Sequence, residues 1–274
     1  MVYGDTEMQS KSLTLATFAK MRAQGQPIAC LTAYDASFAR LVDAAGVDLV
    51  LVGDTLGMVV QGQASTVPVT VDDMVYHTRM VARGLHRAYL VADMPFLSYT
   101  DPSVAVKNAG RLMQETGARM VKLEGTGEQA AVITALAASG IPVCAHLGLR
   151  PQAVEKLGGF RLQGREPEAA ARMIEDAQQL EAAGADIILL ECIPRGLAAR
   201  IHEAVSVPVI GIGAGAEVDG QILVLYDILD ITSGHKPRFS KNFLADAGSV
   251  QGALAAYVAA VKDRSYPAPE HMFE

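Results

Sequence analysis

The chain has 274 residues, 50% of them apolar and 19% charged, with a formal net charge of -7; it buries one large core and, lacking a Lys/Arg stripe, argues against nucleic acid and anionic membrane as partners. Its three cysteines, Cys30, Cys144 and Cys192, are odd in number and far apart, which excludes a disulfide framework or cysteine zinc site and predicts buried thiols in a reducing compartment. No signal-peptide pattern opens the chain and no apolar run approaches the roughly 18 residues of a membrane span, so a cytoplasmic protein is expected.

Residues 1–11 are polar and read as a loose arm. Leu13 to Met21 is roughly helical in spacing and Gly25 closes it, which predicts a helix over one end of the domain. Pro27–Leu31 is a short apolar run, followed by a turn and a helix over Ser37–Ala45. From there one unit repeats: an apolar run, a residue with reactive chemistry, then a helix. Leu49–Val52 ends at Gly53-Asp54-Thr55, and Val71 starts a helix to about Arg83. Ala88–Ala92 ends at Asp93, and Asp101-Pro102 caps a helix to Glu115. Met120–Gly125 carries Lys122 and Glu124, and a helix over Thr126–Ser139 follows. Pro142–Ala145 ends at His146; an insertion, Gly148–Arg165, precedes a helix over Pro167–Ala183. Asp186–Leu190 ends at Glu191, and Pro194–Val205 is helical. Pro208–Gly213 is a further strand. The last strand is expected around Leu229–Thr232, Ser249–Lys262 is a closing helix, and 263–274 read as a tail.

The runs are short and almost wholly apolar, so both faces are covered, which means a parallel sheet. Strand and helix alternate with glycine between them. About eight strands in this length fit a (β/α)8 barrel spanning residues 1–274 as a single domain.

In such barrels the C-terminal strand ends carry the active site. Asp54, Asp93, Lys122 with Glu124, His146 and Glu191 stand there on successive strands. Lys122 and Glu124, two apart, share a face; two charges in an interior form an ion pair or bind something. A lone aspartate at a strand end is most simply a helix cap, but five consecutive strands ending this way exceed what capping explains. Two aspartates on neighbouring strands, with Glu124 nearby, are hard oxygen ligands that suit Mg²⁺, and a Mg²⁺ with open positions chelates a small oxyacid. Lys122 would balance the anion. Glu191 is free to act as a general base if it is not a metal ligand. His146 is either part of this chemistry or a neutral polar residue of the barrel mouth. His77, His86 and His202 read as surface residues. Gly211–Gly215 resembles a phosphate-cradling loop after a late barrel strand but lacks the G-x-G-x-x-G spacing, and reads rather as a tight turn where a ligand or backbone comes close. Gly158–Arg165 reads as a lid with glycine hinges or as a surface or oligomer contact.

With these residues in place the chain resembles the ketopantoate (3-methyl-2-oxobutanoate) hydroxymethyltransferase family. The matching stretches are LTAYDASFA at 31–39, LVGDTLGMVVQG at 51–62, TVPVTVDDMVYHT at 66–78, VADMPF at 91–96, MVKLEG at 120–125, HLGLRPQ at 146–152, LGGFRLQGR at 157–165, LECIP at 190–194 and IGIGAG at 210–215. They span nearly the whole chain in the family's order. The resemblance implies a TIM barrel of the phosphoenolpyruvate/pyruvate type in which Asp54 and Asp93 bind Mg²⁺ and Glu124 reaches it through water. It implies a 2-oxoacid held by Asp54, Thr55, Asp93, Lys122 and His146, with Glu191 as proton acceptor. It further implies 5,10-methylenetetrahydrofolate as co-substrate, 2-dehydropantoate as product by way of a Mg-stabilised enolate, and a homo-oligomer, often a decamer. Thr55, Ala145, Arg150 and Tyr226 depart from the usual serine, glycine, threonine and histidine and bear on local pocket shape. Three other readings compete: a Mg²⁺-dependent lyase or mutase of the same barrel group acting on another 2-oxoacid without folate, a Schiff-base aldolase using Lys122, and a barrel that only binds a metabolite or protein.

Overall fold

The barrel has eight short strands: β1 Ile28–Thr32, β2 Leu49–Val52, β3 Tyr89–Asp93, β4 Met120–Glu124, β5 Val143–Gly148, β6 Ile187–Glu191, β7 Val209–Ile212 and β8 Gly220–Leu223. In the computed structural model, which describes residues 12–232 and 236–274, all eight pair in parallel and β8 returns to β1, closing a (β/α)8 barrel. The arm expected over residues 1–11 lies outside the described residues. Nearly every strand residue is buried, as a sheet covered by helices outside and filled by side chains inside requires.

The helices begin where their caps dictate. Asp101 accepts the amides of Ser103 and Val104 at the start of Pro102–Thr116. Thr70 and Asp73 form a reciprocal capping box at the start of Val71–Ala82. The helix Leu15–Ala23 buries Phe18 against Tyr89 at the start of β3, so it covers the N-terminal end of the barrel. The helix Val250–Lys262 buries Tyr257, whose hydroxyl lies 2.6 Å from the Cys30 carbonyl on β1 and 3.0 Å from the Gln221 carbonyl on β8. One side chain thus bridges the seam where the barrel closes.

Three aspartates that immediately precede strands brace the N-terminal end. Asp48 accepts the amide of Ala29, Asp186 that of Val143, and Asp219 that of Val209. Asp48 is also paired with Arg87 at 2.6 Å and with Lys262. Asp219 is paired with Arg22 at 2.6 Å and lies 2.9 Å from His202, so His202 belongs to this network and is not a plain surface residue. His77 likewise has an inward partner, its Nδ1 lying 2.8 Å from the Tyr34 carbonyl.

Two expectations are corrected. The last strand is Gly220–Leu223, not Leu229–Thr232; Leu225–Ile228 is a short helix. A Cβ on Gly220 would run into the Ile28 carbonyl and approach the Ile210 side chain, so glycine is what lets the closing strands meet. The side-chain amide of Gln221 donates to the Gly215 carbonyl at 2.9 Å. The stretch 263–274 is not a loose tail. Tyr266 and Met272 are buried, and Tyr266 packs against Phe243, Tyr257 and His271. The Gly211–Gly215 turn is a close backbone approach: a Cβ on Gly213, at φ +60, would sit 2.6 Å from the Phe239 ring.

Candidate active site

Strand parity decides which side chains enter the barrel. On β4 it turns Lys122 and Glu124 inward together, and on β3, β5 and β6 it does the same for Asp93, His146 and Glu191. The register then aligns them: Asp93 lies beside Lys122, Glu124 beside His146, and Gly148 beside Glu191. Asp54 follows β2 by two residues. The six ionisable residues singled out in sequence therefore meet at one barrel mouth. Below them the interior is filled, with a cavity of about 10 Å³ lined in part by Leu49, Val91, Lys122 and Leu189.

Asp93 is the organising carboxylate. Its Oδ1 takes the Lys122 ammonium and its Oδ2 accepts the Asp54 amide at 3.0 Å. Gly53 permits this, since a Cβ there would press on Asp93 Oδ2 at 3.3 Å. Lys122 pairs with Asp93 and not with Glu124 on its own strand. Burial works against its charge, but Asp93, Glu124 and Asp54 outweigh that and hold its proton more tightly than usual. The carboxylates respond in the opposite sense. Burial, then repulsion from Asp93, pushes Asp54 up to about 7. Burial raises Glu124 well above the ordinary range despite Lys122. Glu191, whose side chain keeps 15% exposure, is pushed up to about 7 by burial against the pull of Lys122.

His146 is buried, and burial, aided by Lys122, holds its pKa well below the usual value, so the ring is neutral. Its Nε2 is 3.2 Å from Glu191 and its Nδ1 3.7 Å from Glu124, yet neither nitrogen finds a hydrogen bond of good geometry. The Tyr34 hydroxyl is buried and equally unpartnered; its ring stacks on Tyr226 at 5.7 Å. Buried polar atoms without partners are costly and mark places where a ligand supplies the missing bond. Thr55 stands beside the acids, with no side-chain capping bond at the start of the short helix Leu56–Val59.

The donor set can be tested against Mg²⁺. Four carboxylates share one ammonium, and two of the acids, Asp54 and Asp93, sit within one amide bond of each other. A site so short of positive charge, with oxygen donors throughout, fits a hard divalent cation. Among the described residues no three His, Cys, Asp or Glu side chains close into a cage; two carboxylates and water are what Mg²⁺ ordinarily takes from a protein.

Sequence reasoning passed over Tyr34, Tyr99 and Gln152. Gln152 lies in the insertion after β5, which is not plain loop: Pro151–Ala153 is a 3₁₀ turn and Val154–Leu157 a helical turn. Its backbone N–H donates to Glu124 Oε2 at 3.1 Å and its Nε2 to Asp54 Oδ2 at 2.8 Å. Both Gln152 and Tyr34 fall within stretches that carry the family resemblance, but a neutral residue off the strand ends gives no charge signal to single it out.

Comparison with known proteins agrees with this architecture. Residues 12–269 match the ketopantoate hydroxymethyltransferase family. The 3-methyl-2-oxobutanoate hydroxymethyltransferase of Alkalilimnicola ehrlichii is 57% identical over 273 residues, covering 100% of this chain and 99% of the relative. That of Halorhodospira halophila is 58% identical over 263 residues, covering 96% and 95%. Among solved structures, phosphonopyruvate hydrolase in complex with oxalate and Mg²⁺ superposes with a TM-score of 0.61 at 14% identity, covering 94% of this chain and 92% of that one; at that identity the likeness speaks to the fold.

Proposed function

From the premise that the chain belongs to the ketopantoate hydroxymethyltransferase family, and is an enzyme, we propose that it transfers a hydroxymethyl group from 5,10-methylenetetrahydrofolate to 3-methyl-2-oxobutanoate, giving 2-dehydropantoate. The observation that carries this reading is the convergence of Asp54, Asp93, Lys122, Glu124, His146 and Glu191 on one mouth from five consecutive strands.

Asp54 and Asp93 would hold Mg²⁺ directly and Glu124 would reach it through water. When bound, the ion supplies Lewis-acid polarisation of the keto oxygen. Lys122, kept charged by Asp93, faces the substrate carboxylate as a point charge; the same charge makes it a poor Schiff-base nucleophile. Thr55 and His146 complete the substrate contacts, the ring nitrogens of His146 being free to accept or donate one bond each. Glu191 takes the methine proton: the C–H bond breaks, the proton moves to the carboxylate, and the electron pair is delocalised toward the keto oxygen. The carbon then attacks the one-carbon unit: water supplies its hydroxyl, the C–N bonds to the folate break, the new C–C bond forms, and tetrahydrofolate leaves. A carboxylate with its pKa raised to about 7 is matched to that work near neutral pH. The enzyme would work in the cytoplasm as a homo-oligomer, a decamer by family resemblance, which sedimentation of the purified chain checks. Among the described residues no helix is long and apolar enough to cross a membrane.

The test separates proton transfer from one-carbon transfer. With Mg²⁺ but no folate, the native enzyme in D₂O should exchange the methine hydrogen of the ketoacid, and Glu191→Gln should exchange it at least about a hundredfold more slowly while still binding ketoacid. Exchange at the native rate in the variant moves the base elsewhere, to His146 first. Product formed from a 2-oxoacid without folate would favour a lyase or mutase instead.

A further inference from the structure

Gln152 commits its backbone N–H and both ends of its side-chain amide at the acidic mouth. Its backbone N–H goes to Glu124 Oε2 at 3.1 Å. The two hydrogens of Nε2 go to Asp54 Oδ2 at 2.8 Å and the Met94 carbonyl at 2.9 Å. Its Oε1 accepts the Tyr99 hydroxyl. Two acceptors on one side of the amide and one donor on the other fix which end is nitrogen. The residue is buried and carries no charge, so it adds donors to the acids without altering the charge balance between them and Lys122.

The segment that carries it is fastened to the same mouth. Gly148 turns at φ +95, where a Cβ would strike the Glu191 carbonyl, and the Leu149 N–H donates to that carbonyl at 2.8 Å. Five residues, 148–152, therefore touch β6 at Glu191, β4 at Glu124 and the β2 end at Asp54. A covalent neighbour does not hold Asp54 in one rotamer; a hydrogen bond from an amide that cannot flip does. Pinning Oδ2 leaves Oδ1 without a hydrogen bond from the described residues, available to a cation.

We propose that Gln152, oriented by Tyr99, is the positioning residue of the divalent-cation site, holding Asp54 and Glu124 in their binding arrangement. The inference rests on the metal reading given above. Outer partners of this kind are commonly worth about 10–100-fold in metal affinity.

Mn²⁺ binding, followed by the paramagnetic signal of the free ion with no ketoacid or folate present, tests it without reference to turnover. Gln152→Met, which keeps the volume and removes the amide, should weaken Mn²⁺ by about 10–100-fold. Tyr99→Phe should weaken it in the native background and add nothing in the Gln152→Met background, because Tyr99 acts only through the amide. A purely structural role would instead give additive losses and a matching fall in the melting temperature of the metal-free protein. Asp54→Asn serves as the reference. Native Mn²⁺ affinity in Gln152→Met, with affinity lost in Asp54→Asn, overturns the positioning role and leaves the site intact. Native affinity in Asp54→Asn as well overturns the metal site itself and this inference with it. Should Gln152→Met fail to fold, Tyr99→Phe carries the test alone, and native Mn²⁺ affinity in it overturns the proposal.

Discussion

The two ends of the barrel hold buried acids in opposite states. At the N-terminal end Asp48 meets Arg87 and Lys262, and Asp219 meets Arg22 and His202, each also accepting a backbone amide from a neighbouring strand. Both of these charges are answered by cations; Asp186, the third aspartate at that end, has only the Val143 amide. At the C-terminal end four carboxylates share Lys122, and Asp54, Glu124 and Glu191 all bind protons more tightly than usual because burial disfavours their charge. The first arrangement is complete in the folded chain and serves stability. The second leaves more carboxylates than cations, which is the balance a positively charged ligand would redress. The contrast gives a physical criterion for function that does not depend on residue type, since both ends use aspartate.

The largest expected effect comes from removing a charge at the C-terminal end. Asp54→Asn should abolish Mg²⁺-dependent binding of the ketoacid, a loss beyond the roughly 100-fold typical of outer partners, while the melting temperature of the metal-free protein stays level or rises because a repulsion is relieved. Calorimetry with and without Mg²⁺, beside a melting curve, reads both. A lower melting temperature with intact ketoacid binding would break the comparison. Next is the N-terminal end. Asp219→Ala leaves Arg22 only the carbonyls of His202, Val205 and Val207 and should cost at most about 3–5 kcal/mol of stability by urea unfolding, with kcat/KM of the folded fraction unchanged. A fall in kcat/KM without loss of stability would mean that the N-terminal network also serves the site. The smallest effect is a pH limb. Glu191 must be deprotonated to act, so as pH falls below about 7 the exchange rate should drop toward tenfold per unit, and it should level off above. A flat rate between pH 5 and 8 would assign the proton transfer to another group.

Much of this was legible before any coordinates. β2, β3 and β6 announce themselves as runs of four apolar residues, because a strand covered on both faces has little other composition to choose; β4 and β5 are shorter apolar runs interrupted by Lys122 and His146. The acids were legible for the complementary reason: charge at the end of such a run is expensive and calls for an explanation. What stayed hidden was neutral or glycine-bearing. β8 begins with Gly220 and Gln221, whose tight approach and side-chain amide bond exist only once the barrel has closed. Tyr266 and Met272 sit in a stretch with two prolines, Pro267 and Pro269, that reads as a tail, yet long-range packing buries them. Gln152 and Tyr34 carry no charge to flag them, and the bonds that place Gln152 at the mouth are to residues distant in sequence, Asp54 above all.

The seam closed by Tyr257 has a consequence for how the polypeptide is made. β1 leaves the ribosome well before its second neighbour, β8, which ends at Leu223, and the hydroxyl that bridges the two strands arrives with residue 257. Contacts so distant in sequence form late. The nascent chain therefore carries β1 with one edge unpaired until β8 and the helix that bears Tyr257 have been synthesised. Such an edge invites pairing with other chains, so the last helix acts as the latch that ends the period in which this protein is open to aggregation.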